Sequence, residues 1–243
     1  MDGSKSATDL RDETAQTVLI EDSGPNPLQE YFARNNARLI HKWAHYFEIY
    51  HRHFHPFRGR PVTVVEFGVY HGGSLQMWKD YFGKSGRIIG VDISPKCKCL
   101  EEEQIEIVIG DQENREFLRR LGSEIGPIDI LVDDGGHKMG QQIATFEEMF
   151  PIVRPGGIYL IEDLHTSYWE EYGGKFKGRG TFVEYAKGLI DHLHAWHSPN
   201  PTELAVTYYT RHIKGMHVYD SVIVFDKDTV QSPEVHKTGK ESF

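Results

Sequence analysis

The chain has 243 residues, enough to bury one full core, and 36 acidic against 27 basic side chains give a net charge of −9 with histidine neutral. That balance disfavours a nucleic-acid groove. No apolar run approaches the ~20 residues that span a bilayer, and the opening MDGSKSATDLRDETAQ lacks the basic segment and apolar core of a secretory signal, so the expectation is a soluble cytoplasmic protein with neither nucleic acid nor membrane as partner.

Residues 1–27 are polar and end on Ser23-Gly24-Pro25-Asn26-Pro27, the composition of a flexible arm. Across 28–58, Tyr31, Phe32, Leu39, Ile40, Trp43, Tyr46, Phe47 and Tyr50 recur at helical spacing. This predicts one or two helices that pack on the domain or share their aromatic face with a second copy in a dimer. The runs His51, His53, His55 and His192, His194, His197 have no flanking cysteine and no H-E-x-x-H pattern, so they read as packing or surface residues. Cys97 and Cys99 are too close for a C-x-x-C half-site.

A single domain is expected over 59–230, with a tail at 231–243. Val62 to Phe67 is a β-branched and aromatic run suited to a strand buried on both faces. The turn Gly68-Val69-Tyr70-His71-Gly72-Gly73-Ser74 lets backbone approach a ligand before Leu75, Met77 and Trp78 start a helix. Arg87 to Asp92 is a second strand whose terminal carboxylate suits a ribose. The glycines depart from G-x-G-x-x-G, and Glu66 beside the turn repels a pyrophosphate but suits a ligand with an ammonium and a sulfonium, such as S-adenosylmethionine.

Ile105 to Gln112 gives a third strand ending in Gly110-Asp111-Gln112, an acid and an amide placed to read the amino edge of an adenine. A helix over Arg115–Leu121 precedes the fourth strand, Ile128 to Asp133-Asp134, and a further helix leads to the fifth, Ile158 to Glu162-Asp163. Five strand-helix units imply a parallel, doubly wound sheet. Tyr168–Gly180 reads as a mobile loop, 182–196 as a helix and 203–210 as a further strand or ordered segment; Asp220-Ser221 suits a tight turn between the last two strands.

Asp134 and His137 follow the fourth strand, and Glu162 and Asp163 end the fifth. Those strands ordinarily lie near one another, so three carboxylates and an imidazole meet at the edge that carries Gly68 and Asp92. Hard oxygen ligands with room for water match Mg2+ better than Zn2+. Taken singly, an acidic strand end is usually a cap and a lone histidine usually packing; the joint occurrence at two strand ends reverses that weighting.

The segments Val65-Glu66-Phe67-Gly68, Val132-Asp133-Asp134-Gly135-Gly136-His137, Arg154-Pro155-Gly156-Gly157 and Tyr159-Leu160-Ile161-Glu162-Asp163-Leu164-His165-Thr166-Ser167-Tyr168-Trp169 resemble the metal-dependent, S-adenosylmethionine-dependent sugar O-methyltransferases, including macrolide deoxysugar and actinobacterial mannose or rhamnose glycoside enzymes. The resemblance implies an α/β fold: a mostly parallel seven-stranded sheet of the Rossmann-like class I methyltransferase type, with N-terminal helices. It implies Mg2+ on Asp134, Glu162 and Asp163, and His137 as general base with His165 in reserve. The cofactor would lie against Glu66, Gly68, Tyr70, Ser74, Asp92, Asp111, Gln112 and Asp133. His165, Tyr168 and Trp169 would face a sugar or glycoside acceptor. Two departures are Gly136, where the family more often has serine, and the short region ahead of the sheet. Rival readings are a catechol-type acceptor, a nicotinamide-dependent oxidoreductase, which the glycine spacing opposes, and a non-catalytic binding module.

Overall fold

Two strands buried on both faces, β1 (Val62–Phe67) and β4 (Ile128–Asp133), form the centre of a seven-stranded sheet in a computed structural model of the chain, which describes residues 24–243. The order is β3-β2-β1-β4-β5-β7-β6, with β2 at Gly86–Asp92, β3 at Ile105–Ile109, β5 at Val153–Ile161, β6 at Ile213–Tyr219 and β7 at Val222–Lys227. The first five strands run parallel, and β7 inserts antiparallel between β5 and β6. The order reverses between β1 and β4, and the crevice outside their carboxyl ends is where such sheets bind ligands.

Near-continuous apolar runs in the central strands require cover on both faces. On one face α1 (Pro27–Arg34), α2 (Tyr46–Phe54) and α3 (Gly73–Phe82) bury Tyr46, Tyr50, Phe54 and Trp78 against Val64, Ile130, Leu160 and Val224. On the other, α4 (Arg115–Ile125), α5 (Met139–Met149) and α6 (Phe182–His194) bury Leu118, Phe146, Met149 and Phe182 against Val65, Leu131, Tyr159 and Phe225. The two N-terminal helices therefore share a core with the sheet.

Several details differ from expectation. Pro27 opens α1, where its missing N–H costs nothing, with the Asn26 side chain accepting from Leu28 N; the sequence reading put this proline in the arm. The arm itself, over residues 1–23, lies outside the described residues. Residues 35–45 cross between α1 and α2 as a non-helical strap. The segment 203–210 is not a strand: the Thr207 hydroxyl caps a short helix, α7 (Tyr208–His212), and strand geometry begins only at Ile213. Asp220-Ser221 does make the turn before β7, with Ser221 at φ +62°. The 168–180 loop carries a short 3-10 turn at Glu170–Tyr172. Among the described residues no helix is long and apolar enough to cross a membrane.

Candidate active site

Gly68 sits at φ +91°, and a Cβ there would run into the backbone carbonyl of Asp134, so glycine is what lets the ends of β1 and β4 close up. Asp92, expected to meet a ribose, lines the cavity and also braces the turn: Oδ2 accepts from Val69 N at 2.9 Å and Tyr70 N at 3.2 Å, and Oδ1 from Ser94 N at 2.8 Å. Gly73 clears the way for the strap, because a Cβ would strike the carbonyl of Leu39. Turn and strap together wall a cavity of about 410 Å3.

Gly68, Tyr70, Ser74, Asp92, Asp111, Gln112, Asp134, His137 and Asp163 line this cavity, as the sequence reading grouped them. Glu66 and Asp133 do not reach its wall. The Glu66 carboxylate is fully buried and accepts from Ser74 Oγ at 2.6 Å; burial raises its pKa, with Asp134 acting the same way and Lys42 opposing. Asp133, also fully buried, is bonded by the Gln112 amide and pushed up to about 7 by burial. Gln112 Oε1 accepts from Gly136 N at 3.1 Å, so its carboxamide ties the end of β3 to the loop after β4.

The acidic strand ends converge. Asp134, Glu162 and Asp163 line a second, smaller cavity of about 120 Å3 beside the first. His137 Nε2 stands 3.4 Å from Asp163 Oδ2 and 3.8 Å from Asp134 Oδ1, and ligand atoms of these three residues fall within 4.8 Å of one another. The other ring nitrogen, Nδ1, is buried with no hydrogen-bond partner among the described residues. Three carboxylates sharing one pocket are a donor set that fits a hard divalent cation.

What the sequence reading missed is the cover over these acids. Lys42, on the strap and almost fully buried, places Nζ 2.5 Å from Asp134 Oδ2, 2.9 Å from Glu162 Oε2 and 3.4 Å from Glu66 Oε1. Burial alone would lower its pKa, but Asp134 and Glu162 outweigh burial and hold the ammonium charged. Four residues on, at the start of α2, Tyr46 donates to Asp163 Oδ1 at 2.7 Å; one helical turn further, Tyr50 donates to Glu162 Oε1 at 2.6 Å. Burial and then the charge of Asp134 push the Glu162 pKa up, and the Lys42 ammonium beside it pulls the other way. Lys42, Tyr46 and Tyr50 recur every four residues, a polar-ended stripe that was the available signal.

Backbone strain collects here too. Tyr70, His137 and Asp163, all on the cavity wall, have φ of +49°, +54° and +54°, each costing on the order of 1 kcal/mol or more, and such strain gathers at functional sites. His165 lies outside both cavities, with Nδ1 2.5 Å from Ser221 Oγ and its ring edge-on between Trp43 (6.1 Å) and Trp169 (4.6 Å). Trp169 beside it and Tyr168, whose ring neighbours Phe176, are about half exposed, and neither lines either cavity. At Gly136, a Cβ would press on the Gln141 side chain, whose Oε1 accepts from Lys138 N, so a serine there needs Gln141 to move.

Residues 65–164 match a family model described as a methyltransferase domain. The chain is 40% identical over 222 residues to the 8-demethyl-8-(2-methoxy-alpha-L-rhamnosyl)-tetracenomycin-C 3'-O-methyltransferase of Streptomyces olivaceus, covering 86% of this chain and 56% of that protein. It is a homologue of the sugar O-methyltransferases. A second such relative, the mycinamicin VI 2''-O-methyltransferase of Micromonospora griseorubida, is 39% identical over 188 residues, 73% of this chain and 47% of that one. The MycE methyltransferase, solved in complex with Mg, SAH and mycinamycin VI, superposes on this homologue with a TM-score of 0.74 at 35% identity, covering 85% of this chain and 54% of that chain. The chain thus spans about half the length of the curated relatives it matches.

Proposed function

We propose that the chain transfers the methyl group of S-adenosylmethionine to a hydroxyl of a sugar or glycoside in a Mg2+-dependent reaction. The observation that carries this reading is the convergence of Asp134, Glu162, Asp163 and His137 at the ends of adjacent strands, beside a cavity walled by the glycine turn. The names of relatives that act on rhamnosyl-tetracenomycin and L-olivosyl-oleandolide compounds point the same way. Asp134, Glu162 and Asp163 would hold Mg2+, which when bound lowers the pKa of an acceptor hydroxyl and fixes its position.

The 410 Å3 cavity would take the methyl donor, with Asp111 and Gln112 at one end to hold its adenosine and Asp134 and His137 at the other, where the methyl group would be presented. The acceptor oxygen attacks the methyl carbon as the carbon–sulfur bond breaks, giving a methyl ether and S-adenosylhomocysteine. His137 takes the hydroxyl proton, an imidazole being able to do so near working pH. Asp163, held by Tyr46, keeps the His137 ring oriented through Nε2. Trp43, His165 and Trp169 form an aromatic row beside Asp163 on which a sugar face can stack.

We assign the donor-binding domain to 59–230, the helical region to 28–58 and the tail to 231–243. Phe32, Leu39 and Trp43, exposed on the N-terminal segments, support a homodimer, which light scattering tests. Two free thiols, Cys97 and Cys99, support a reducing cytoplasm. The test of function is mass-spectrometric detection of methylated product on a panel of rhamnosides and mannosides, with catechol as a control acceptor. A methylated glycoside is expected, and product on catechol alone would replace the sugar reading.

A further inference from the structure

Away from the carboxylate cavity, on the face of the sheet that α2 covers, three potential metal ligands come together from distant parts of the chain. His53 is in the last turn of α2, His217 on β6 and Asp226 on β7. The β6–β7 register pairs His217 with Val224 and Gly215 with Asp226, so alternation puts the His217 and Asp226 side chains on one face, as diagonal neighbours. His217 Nε2 lies 2.7 Å from Asp226 Oδ2, His53 Nδ1 lies 4.0 Å from Asp226 Oδ1, and ligand atoms of all three fall within 4.8 Å of one another.

We propose that His53, His217 and Asp226 form a second metal site, for a borderline transition ion of the Zn2+ class, that clamps the end of α2 to the β6–β7 hairpin. Two imidazoles and one carboxylate select such an ion over Mg2+. A tetrahedral ion with bonds of ~2.0–2.1 Å holds its donors ~3.3 Å apart, so the three side chains need to shift by about 1 Å.

Two features go beyond a chance His–Asp pair. Tyr219 Oη bonds His53 Nε2 at 2.9 Å, which fixes the ring and turns Nδ1 towards the carboxylate, as outer-shell partners of metal-bound histidines do. Residue 215 is glycine: a Cβ there would stand 3.3 Å from Asp226 Oδ2 and 3.7 Å from His217 Nε2, so its absence keeps the space beside both ligands clear. His53 is buried, whereas the His217 and Asp226 side chains are 41% and 31% exposed, leaving a route for the ion and a fourth position for water. The clamp acts at the opposite end of the helix that presents Tyr46 and Tyr50 to Asp163 and Glu162.

The test is titration of the full chain with Co2+, in excess Mg2+ to occupy the carboxylate site, followed through the visible d–d absorption of tetrahedral Co2+ and displacement by Zn2+. One equivalent per chain and a raised melting temperature with Zn2+ are expected. His217→Ala, at the exposed ligand and so least damaging to folding, is expected to weaken binding at least ~100-fold, and Tyr219→Phe by ~10-fold. His53→Gln should abolish the tetrahedral spectrum. Absence of stoichiometric Co2+ or Zn2+ binding in excess Mg2+ would overturn the proposal. So would binding that survives His217→Ala and is lost in Asp134→Asn.

Discussion

Replacing Lys42 with Met removes one positive charge from the midst of three carboxylates while keeping most of the side-chain volume. In the wild type Nζ lies 2.5, 2.9 and 3.4 Å from Asp134, Glu162 and Glu66, all but Asp134 essentially without solvent. At an effective dielectric of ~20, a pair about 3 Å apart carries ~5 kcal/mol of Coulomb attraction. Desolvation offsets most of that, and breaking a buried pair by removing one partner costs about 3–5 kcal/mol. Urea unfolding in chelator should therefore show Lys42→Met destabilised by that amount. A divalent ion can replace the lost charge, and an ion at 100 times its dissociation constant returns about 2.7 kcal/mol. Mg2+ should thus stabilise the variant more than the wild type. A loss below about 1 kcal/mol in chelator, or an equal Mg2+ response in both proteins, would refute the view that Lys42 neutralises Asp134 and Glu162, two of the carboxylates proposed to hold the metal.

Further tests address single contacts. Tyr50→Phe deprives buried Glu162 of its 2.6 Å donor and should cost about 1–3 kcal/mol in chemical unfolding. His137→Ala should abolish methyl transfer yet leave S-adenosylhomocysteine binding within about twofold by calorimetry, since the ring's neighbours are the carboxylates and not the glycine turn. Gly68→Ala forces a Cβ onto the Asp134 carbonyl at positive φ, so loss of both stability and donor binding is expected in the same measurements. Burial pushes the Asp133 carboxyl from its ordinary 3.8 up to about 7 in the fold. The folded chain holds that proton while the unfolded one has released it, so this group's contribution is full below about pH 4 and is lost as pH rises through about 7. Asp133→Asn should flatten the stability profile across that window; an unchanged slope would show that another group sets it.

Much of this arrangement could be read from the chain because short-range signals agreed with the global fold. The runs at 62–67, 128–133 and 158–161 are strands buried on both faces, and the acids that follow them had to fall at one edge once the units were parallel. Roles that depend on what comes close in space were harder. Asp92 ends β2 on the cavity wall as expected, and its added part in bracing the turn depends on how Val69 and Tyr70 fold back. Tyr46 and Tyr50 are at home on an apolar helical face, and only the approach of α2 to the end of β5 shows that their hydroxyls bind carboxylates. Lys42 shares the four-residue spacing of Tyr46 and Tyr50 but lies on the non-helical strap, outside any regular element, so the spacing alone did not mark it. His53 and His217 were invisible as partners, being joined only through the packing of α2 on the last hairpin. At 203–210, the Thr207 cap with Thr210 decided for a helix where the residue types also suit a strand.

The most direct test of the central claim is transfer of a labelled methyl group from S-adenosylmethionine to a rhamnoside acceptor, first with Mg2+, then with excess chelator, then with Mg2+ restored. The arrangement of Asp134, Glu162 and Asp163 around one pocket predicts turnover that disappears in chelator and returns with the ion. Undiminished turnover in chelator would contradict it and leave the three acids with a structural role alone.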